Sequence, residues 1–157
     1  MAVLALTLVV AFLNLVLLAA VLGVFFTYSN SVVPGLDRGD PEQAAAAMRG
    51  MNVAIINPRF LAAFIGPVIT SAATGFLLLG LDEPTPASLF LAAAAVYLAG
   101  SLVITGRVNV PMNNALDGDT VTWADFAPRW RRWNTVRTAA STVALVLCGI
   151  GMYLWGN

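Results

Sequence analysis

The amino-acid sequence predicts an all-α protein, a four-helix transmembrane bundle with two long, partly helical loops on one face. Of its 157 residues, 59% are hydrophobic and 10% are charged, whereas soluble domains carry about 25% charged residues. This composition excludes a disordered chain, which requires low hydrophobicity and high charge. Eight acidic residues balance eight basic ones, and this balance argues against nucleic acid as a partner, because such binders carry a basic excess.

Four apolar segments are long enough to cross a bilayer, at about residues 2–28, 60–81, 87–106 and 138–155 of a single domain, residues 1–157. About 20 apolar residues suffice to span the hydrocarbon. Polar and apolar residues do not alternate in these segments, so a transmembrane β-barrel is excluded. The first segment lacks a basic leader and is too long for the apolar part of a signal peptide, so we expect it to remain as a span.

The connections between the spans are very unequal in length. Residues 82–86 form a tight turn between the second and third spans, whereas residues 29–59 and 107–137 form long loops. With four spans, both long loops must lie on the same face. All eight basic residues are arginines in or at the ends of these loops. The positive-inside rule therefore predicts cytoplasmic loops and external termini.

Capping signals predict a helix within each long loop. Asp40 followed by Pro41 is typical of a helix start, and the run over residues 43–56 is rich in alanine and methionine. In the second loop, Thr122 and Asp125 have the spacing of a capping box.

The two halves of the chain also resemble each other in outline. Each half has a span, an asparagine, a proline, a Leu-Asp pair, a loop helix, a second asparagine and another span, although so few matching residues leave chance as an alternative. Such repeats place a shared pocket between the halves. The matching residues are Asn30, Pro34, Asp37 and Asn52 in the first half, and Asn109, Pro111, Asp117 and Asn134 in the second.

The residue types that are missing restrict the chemistry. The chain has no histidine, no lysine and a single cysteine, Cys148. These absences exclude histidine-ligated haem, copper or iron, classical zinc sites, an intrachain disulfide, a Ser-His-Asp triad and a lysine Schiff base. We therefore expect no metal site.

Asparagines gather near the loop-side ends of the spans, where a buried amide must satisfy its hydrogen-bonding groups or lose solvation energy. Capping and bracing explain Asn57 and Asn114, whereas for Asn52 and Asn134 bracing and function remain equally open.

The segment over residues 129–137 is the most polar part of the second loop. Trp130, Asn134 and Arg137 are spaced i, i+4 and i+7, so they share one helix face. An interfacial aromatic belt with snorkelling arginines explains Arg131 and Arg132. It explains Arg137 less well, because the helix face of Arg137 also carries Trp130 and Asn134.

The order of short motifs resembles the anthrone oxygenase-like family of membrane proteins, also called the DUF1772 family. The resemblance covers nearly the whole chain. It rests on GVFFTYSN at residues 23–30 with VPGL at 33–36, AMRGMN at 47–52 with NPRF at 57–60, NVPMN at 109–113, and WRRWN at 130–134 with Arg137.

The resemblance implies a small four-span protein, here expected in a bacterial plasma membrane, that oxidises a flat phenolic or aromatic substrate with O2 and no cofactor. Arg137 would stabilise an oxyanion and aromatic rings would stack on the substrate. The general base would be Asp37 or Asp117, between which the sequence does not choose. Candidate catalytic residues are Arg137, Asn134, Asn52 and Asn109, and candidate substrate contacts are Trp130, Tyr28, Asn30, Asn113, Arg107 and Arg59.

Two other classes of function compete with this enzyme. A non-catalytic membrane protein that binds a lipid or small molecule, or serves as an accessory subunit, would retain the same motifs. A proton-coupled transporter is disfavoured, because the second and third spans carry no ionisable group in their interiors. Besides membrane lipids, the expected partners are O2 and an aromatic small molecule, and self-association is left open.

Overall fold

The computed structural model describes residues 1–156, which form five helices and no strand. Four of these helices are long and apolar enough to cross a membrane, so the predicted fold class is confirmed. The fifth is a shorter loop helix, α2. The helices are α1 (Ala2–Leu36), α2 (Pro41–Ala54), α3 (Pro58–Leu79), α4 (Pro84–Asp117) and α5 (Trp123–Trp155).

The four long helices form a ring in which each packs on its neighbours in the chain, and α1 closes the ring against α5. Buried Leu18, Phe90 and Tyr97 belong to the core of this bundle. Many large apolar side chains on the outer faces remain exposed, such as Val9 and Ile69. This is the arrangement expected where lipid replaces water around the protein.

A second core closes the loop end of the bundle. There α2 packs on the last part of α4 and on the start of α5, and Met48, Leu116 and Phe126 are buried between them. The predicted caps are present: the Asp40 carboxylate accepts hydrogen bonds from two backbone N–H groups of α2, and Thr122 Oγ1 accepts one from Asp125. The loop end is therefore a packed structure rather than a pair of open loops.

The transmembrane helices extend farther than their apolar runs predict. Helix α1 continues to Leu36, α4 to Asp117, and α5 begins as early as Trp123. The apolar pattern ends where the bilayer is expected to end, but the helices continue because their polar ends pack on the second core. The halves also differ: Asn57 and Pro58 separate α2 from α3, whereas the corresponding loop helix of the second half is continuous with its span.

Three π-helical segments interrupt the long helices, at Tyr28–Val32 in α1 and at Leu98–Val103 and Thr105–Asn109 in α4. Pro34 follows the segment of α1, and Pro111 follows the second segment of α4. A proline inside a helix removes a backbone hydrogen bond, and its ring clashes with the carbonyl four residues earlier. π segments are frequent at functional sites.

A buried polar cluster holds three helices together in the middle of the bundle. Thr70 and Ser71 donate hydrogen bonds to Asn14 Oδ1 at 2.7 and 2.9 Å, and Asn14 Nδ2 donates to Cys148 Sγ at 3.1 Å. Both Oδ1 and Nδ2 of the Asn14 side chain therefore have hydrogen-bond partners within the protein. We interpret this cluster as a link between α1, α3 and α5.

Replacing Asn14 with Leu should destabilise the folded bundle by about 1–2 kcal/mol, since hydrogen bonds between membrane helices contribute about 0.6 kcal/mol each. Unfolding of the purified protein in mixed micelles measures the change. Thr142→Val is the matched control, because Thr142 is exposed and bonds only to its own helix. Equal stability of the two variants would contradict the assigned role.

Candidate functional site

A cavity of about 260 Å³ lies at the loop end of the bundle, slightly below the range of about 300–1,000 Å³ typical of ligand pockets. All five helices contribute to its walls, and most of the lining is apolar. The lining residues are Val24, Phe25, Tyr28, Asn52, Ile55, Ile56, Phe60, Leu61, Phe64, Thr105, Asn109, Val110, Asn113, Trp130, Asn134 and Arg137.

Arg137 supplies a positive charge to the wall of this cavity. It is 5% exposed, and among residues 1–156 it forms no ion pair with a carboxylate. Its Nη1 donates to Thr105 Oγ1 at 3.0 Å, and its Nη2 donates to Asn134 Oδ1 at 2.6 Å. The guanidinium carbon lies 4.4 Å from the centre of the Phe25 ring. Neutral dipoles and a ring face therefore hold a buried cation that would attract an anionic ligand.

Asn134 positions Arg137 rather than facing a ligand. Its Nδ2 donates to the backbone carbonyl of Phe25 and to Ser29 Oγ, both at 2.6 Å, while its Oδ1 accepts from Arg137. Each of its polar atoms is thus occupied within the protein. Its partner Ser29 lies in the π-helical segment of α1, so this segment is directly connected to the site.

Several buried polar atoms of the cavity make no hydrogen bond within the described residues. They are Nδ2 of Asn52, Nδ2 and Oδ1 of Asn109, and Nε of Arg137. Asn109 is 1% exposed, so its amide faces neither bulk water nor a protein partner. Such unpaired groups are rare and unfavourable. Their concentration around one cavity indicates a site for a ligand with polar groups.

Aromatic rings form much of the remaining wall. Trp130 lies 5.6 Å from Tyr28, measured between ring centres, and its Nε1 donates to Asn113 Oδ1 at 2.7 Å. On α3, Phe60 and Phe64 are stacked with ring centres 5.5 Å apart. These walls suit a flat, largely apolar molecule.

The structure brings together most of the site residues proposed from the sequence, but not all. Arg137, Asn134, Asn52, Asn109, Trp130, Tyr28 and Asn113 all line the cavity. By contrast, Asn30, Arg59 and Arg107 are exposed and lie outside its lining. The last three lie near the ends of the spans, as expected, but they point away from the cavity.

Neither candidate general base lines the cavity. Asp37 and Asp117 are both exposed. One oxygen of the Asp37 carboxylate accepts a hydrogen bond from Trp123 Nε1 at 2.9 Å, and the other lies 3.9 Å from Arg131. The cavity lining contains no carboxylate. A deprotonation mechanism at this site must therefore work without an adjacent acid side chain of the described residues.

Some residues of the site were not selected from the sequence. Thr105 binds Arg137 and Ser29 binds Asn134, while Phe60 and Phe64 provide a stacked wall. The i, i+4 spacing of Phe60 and Phe64, and of Thr105 and Asn109, was a usable signal, although the π turns between Thr105 and Asn109 obscure it. Within residues 1–156, no three His, Cys, Asp or Glu side chains form a group that could hold a metal ion.

Fold and cavity together define a four-helix membrane protein that surrounds a largely apolar cavity with a buried cation. The chain belongs to the anthrone oxygenase family, whose family model matches residues 59–147. This range includes α3, α4 and the arginine of the site. No curated protein and no solved structure matches the chain.

Proposed function

We propose that this protein binds a flat hydroxylated aromatic compound as its oxyanion and oxidises it with O2 without a cofactor. The buried guanidinium of Arg137, which lacks a carboxylate partner within residues 1–156, carries this proposal. An anionic ligand would provide the missing charge. The family supports an anthrone as the type of substrate.

The proposed reaction is balanced for anthrone and O2, which give anthraquinone and one molecule of water. Anthrone first loses a proton from its CH2 group, and the electrons of that C–H bond form the oxyanion of the hydroxyanthracene. This anion transfers an electron to O2, and the resulting radical and superoxide combine into a peroxide anion at the same carbon. The peroxide anion takes up a proton, which replaces the one released in the first step, and becomes a hydroperoxide. Loss of water from the hydroperoxide forms the second carbonyl of the quinone.

Arg137 would promote the first step by stabilising the oxyanion in a site of low polarity, where a fixed charge acts strongly. A nearby cation favours the ionised form of a bound acid. The proton would then pass to water, so this step does not require a carboxylate in the cavity lining. The carbonyl oxygen of the anthrone, which becomes the oxyanion, would lie near Arg137 Nε, an atom without a hydrogen-bond partner in residues 1–156.

The unpaired amides would recognise further polar groups of the substrate. Asn109 offers both a donor and an acceptor, and Asn52 offers a donor, so hydroxyl or carbonyl groups on the outer rings would find partners there. Tyr28 and Phe60, which line the cavity, would lie against the ring faces. A polyphenolic anthrone satisfies these requirements better than an unsubstituted hydrocarbon.

The second candidate function is non-catalytic binding of an anionic lipid or aromatic molecule, either alone or as a subunit of a membrane complex. The absence of a carboxylate base from the cavity lining favours this alternative. Both functions require the same buried cation, so a binding measurement alone does not distinguish them.

Oxygen-dependent oxidation of an anthrone distinguishes the two functions. The purified protein in nanodiscs should convert the anthrone faster than protein-free nanodiscs do, with one O2 consumed for each quinone formed. Quinone absorbance and an oxygen electrode follow the two quantities. If the protein binds the anthrone but the anthrone is oxidised only at the spontaneous rate, catalysis is refuted and the binding function is favoured.

Replacing Asn109 with Leu should weaken anthrone binding while it stabilises the unliganded protein. The substitution removes a buried amide that forms no hydrogen bond to the described part of the chain, residues 1–156, and relief of such a group is worth about 1–3 kcal/mol. Loss of a hydrogen bond to the ligand lowers affinity by about tenfold. Calorimetry and thermal unfolding measure the two effects. Asn114→Leu, at an exposed position of α4, is the control and should change neither quantity.

A further inference from the structure

We propose that the cavity opens sideways into the membrane between α3 and α4, and that its substrate therefore enters from the lipid rather than from water. The inference describes the entrance of the cavity, and it rests on the proposed function only for the identity of the substrate. Three features support this entrance: the packing of α4, the exposed residues of the cavity lining and the charged residues beside them.

The packing of α4 changes along its length. Its first part, Pro84–Tyr97, packs closely on both α3 and α5, whereas beyond Tyr97 it packs mainly on α5 and has few contacts with α3. An added Cβ at Gly100 would collide with the methyl group of Ala140, and Ser101 Oγ lies 3.0 Å from Ser141 Oγ. The π-helical part of α4 is thus held against α5. This leaves the loop-side ends of α3 and α4 apart, and the cavity lies between them.

The lining residues that are exposed all lie along this gap, and all are apolar. Ile56 in the turn before α3 is 71% exposed, Val110 on α4 is 42% exposed and Leu61 on α3 is 38% exposed. We call these three residues the rim. Such side chains at a water-facing entrance would expose apolar surface to solvent, which is unfavourable. In contact with lipid the same surface carries no such cost.

The arginines beside the rim indicate its depth. Arg59 lies two residues before Leu61, and Arg107 lies three residues before Val110. Both are exposed and neither forms an ion pair within residues 1–156. Arginines at the ends of transmembrane helices extend towards the phosphate groups of lipids. Ile56 precedes Arg59 and Val110 follows Arg107, so both lie on the loop side of these arginines, whereas Leu61 lies deeper. The rim would then lie at the level of the headgroups, where flat aromatic molecules with hydroxyl groups also accumulate.

The lipid contact of the rim can be measured without any substrate. Bimane attached to Ile56→Cys should be quenched by lipids that are brominated near the headgroup. As a reference, bimane on Ile69→Cys should be quenched by lipids that are brominated deeper in the acyl chain. Bimane on Arg38→Cys, at an exposed loop-end position, should respond only to iodide in water. Native Cys148 is buried and does not compete for the label. Quenching of position 56 by iodide and not by bromolipid would overturn the proposal.

A blocked rim tests the route itself. Val110→Trp should slow the uptake of radiolabelled anthrone from vesicles by about tenfold, because a narrowed path reduces the association rate. Leu98→Trp, which enlarges a lipid-facing residue of the same helix away from the rim, should not change uptake. Rapid filtration of the protein in nanodiscs follows the label. Equal uptake by both variants would refute a lipid entrance. If the wild-type protein binds no anthrone, the proposed function fails, while the bromolipid experiment still decides where the cavity opens.

Discussion

Replacement of Arg137 by Met is expected to slow oxidation of the substrate strongly and to leave the unliganded protein at least as stable as the wild type. Loss of a charge that stabilises a developing oxyanion lowers turnover by about 10²–10³-fold. An isolated buried charge destabilises the folded state, and replacing buried ionic groups by an apolar side chain is often neutral or stabilising by about 1–4 kcal/mol. Quinone formation and thermal unfolding in nanodiscs measure the two effects.

The combination of the two results separates a functional residue from a structural one. Arg132→Met removes the same charge from an exposed position of the same helix, and it should change neither activity nor stability. A strongly destabilised Arg137→Met protein would show that Arg137 holds the bundle together, and its assignment to the ligand would then be wrong.

The second large effect is expected from Asn134→Asp, which changes the shape of the side chain very little. The new carboxylate would stand 2.6 Å from Arg137 Nη2, where the amide oxygen now accepts a hydrogen bond. It would neutralise the cation within the protein, so the affinity for an anionic ligand should fall by about a hundredfold. Calorimetric titration with a hydroxyanthraquinone, which resembles the product, measures this loss.

The same substitution at Asn114 is a close control, because Asn114 is an exposed asparagine on α4. Asn114→Asp adds an equal charge at the loop end and should leave the affinity unchanged. Undiminished binding by Asn134→Asp would mean that the ligand does not require the charge of Arg137, and the oxyanion proposal would be refuted.

The transmembrane helices and their caps could be predicted because they depend on local sequence. An apolar run of about 20 residues has few alternatives to a membrane-spanning helix, and Asp40 or Thr122 at a helix start satisfies backbone N–H groups directly. The extension of α5 back to Trp123 could not be predicted in this way. It depends on the second core, where residues distant in sequence pack together.

The difference between features set by local sequence and features set by distant packing also explains which site residues could be predicted. Trp130, Asn134 and Arg137 share one face of a regular α-helix, so their grouping follows from spacing alone. Arg59 and Arg107 were associated with the site only because they lie at the ends of spans. Their direction depends on how each helix is rotated about its own axis, and in α4 that rotation is altered by π turns.

The cavity also explains why polar groups that weaken the fold are present. An unpaired cation and an amide without partners lower the stability of the unliganded bundle, yet these groups are the ones that a bound oxyanion would satisfy. The side-chain amides of Asn14 and Asn134, by contrast, have hydrogen-bond partners within the protein. The protein therefore separates bracing amides from amides that remain available to a ligand.

The π-helical segments of α4 link the number of residues in this helix to the direction in which its later side chains point. A π turn takes up one more residue than an α turn, so each one shifts the later side chains by about 100° around the helix axis. Two such segments precede Val110. A chain shorter by one residue between Tyr97 and Asn109 would still form a helix, cross the bilayer and keep every chemical group of the site. It would nevertheless present a different face of α4 to the cavity, so the phase of this helix is as much a part of the site as its side chains.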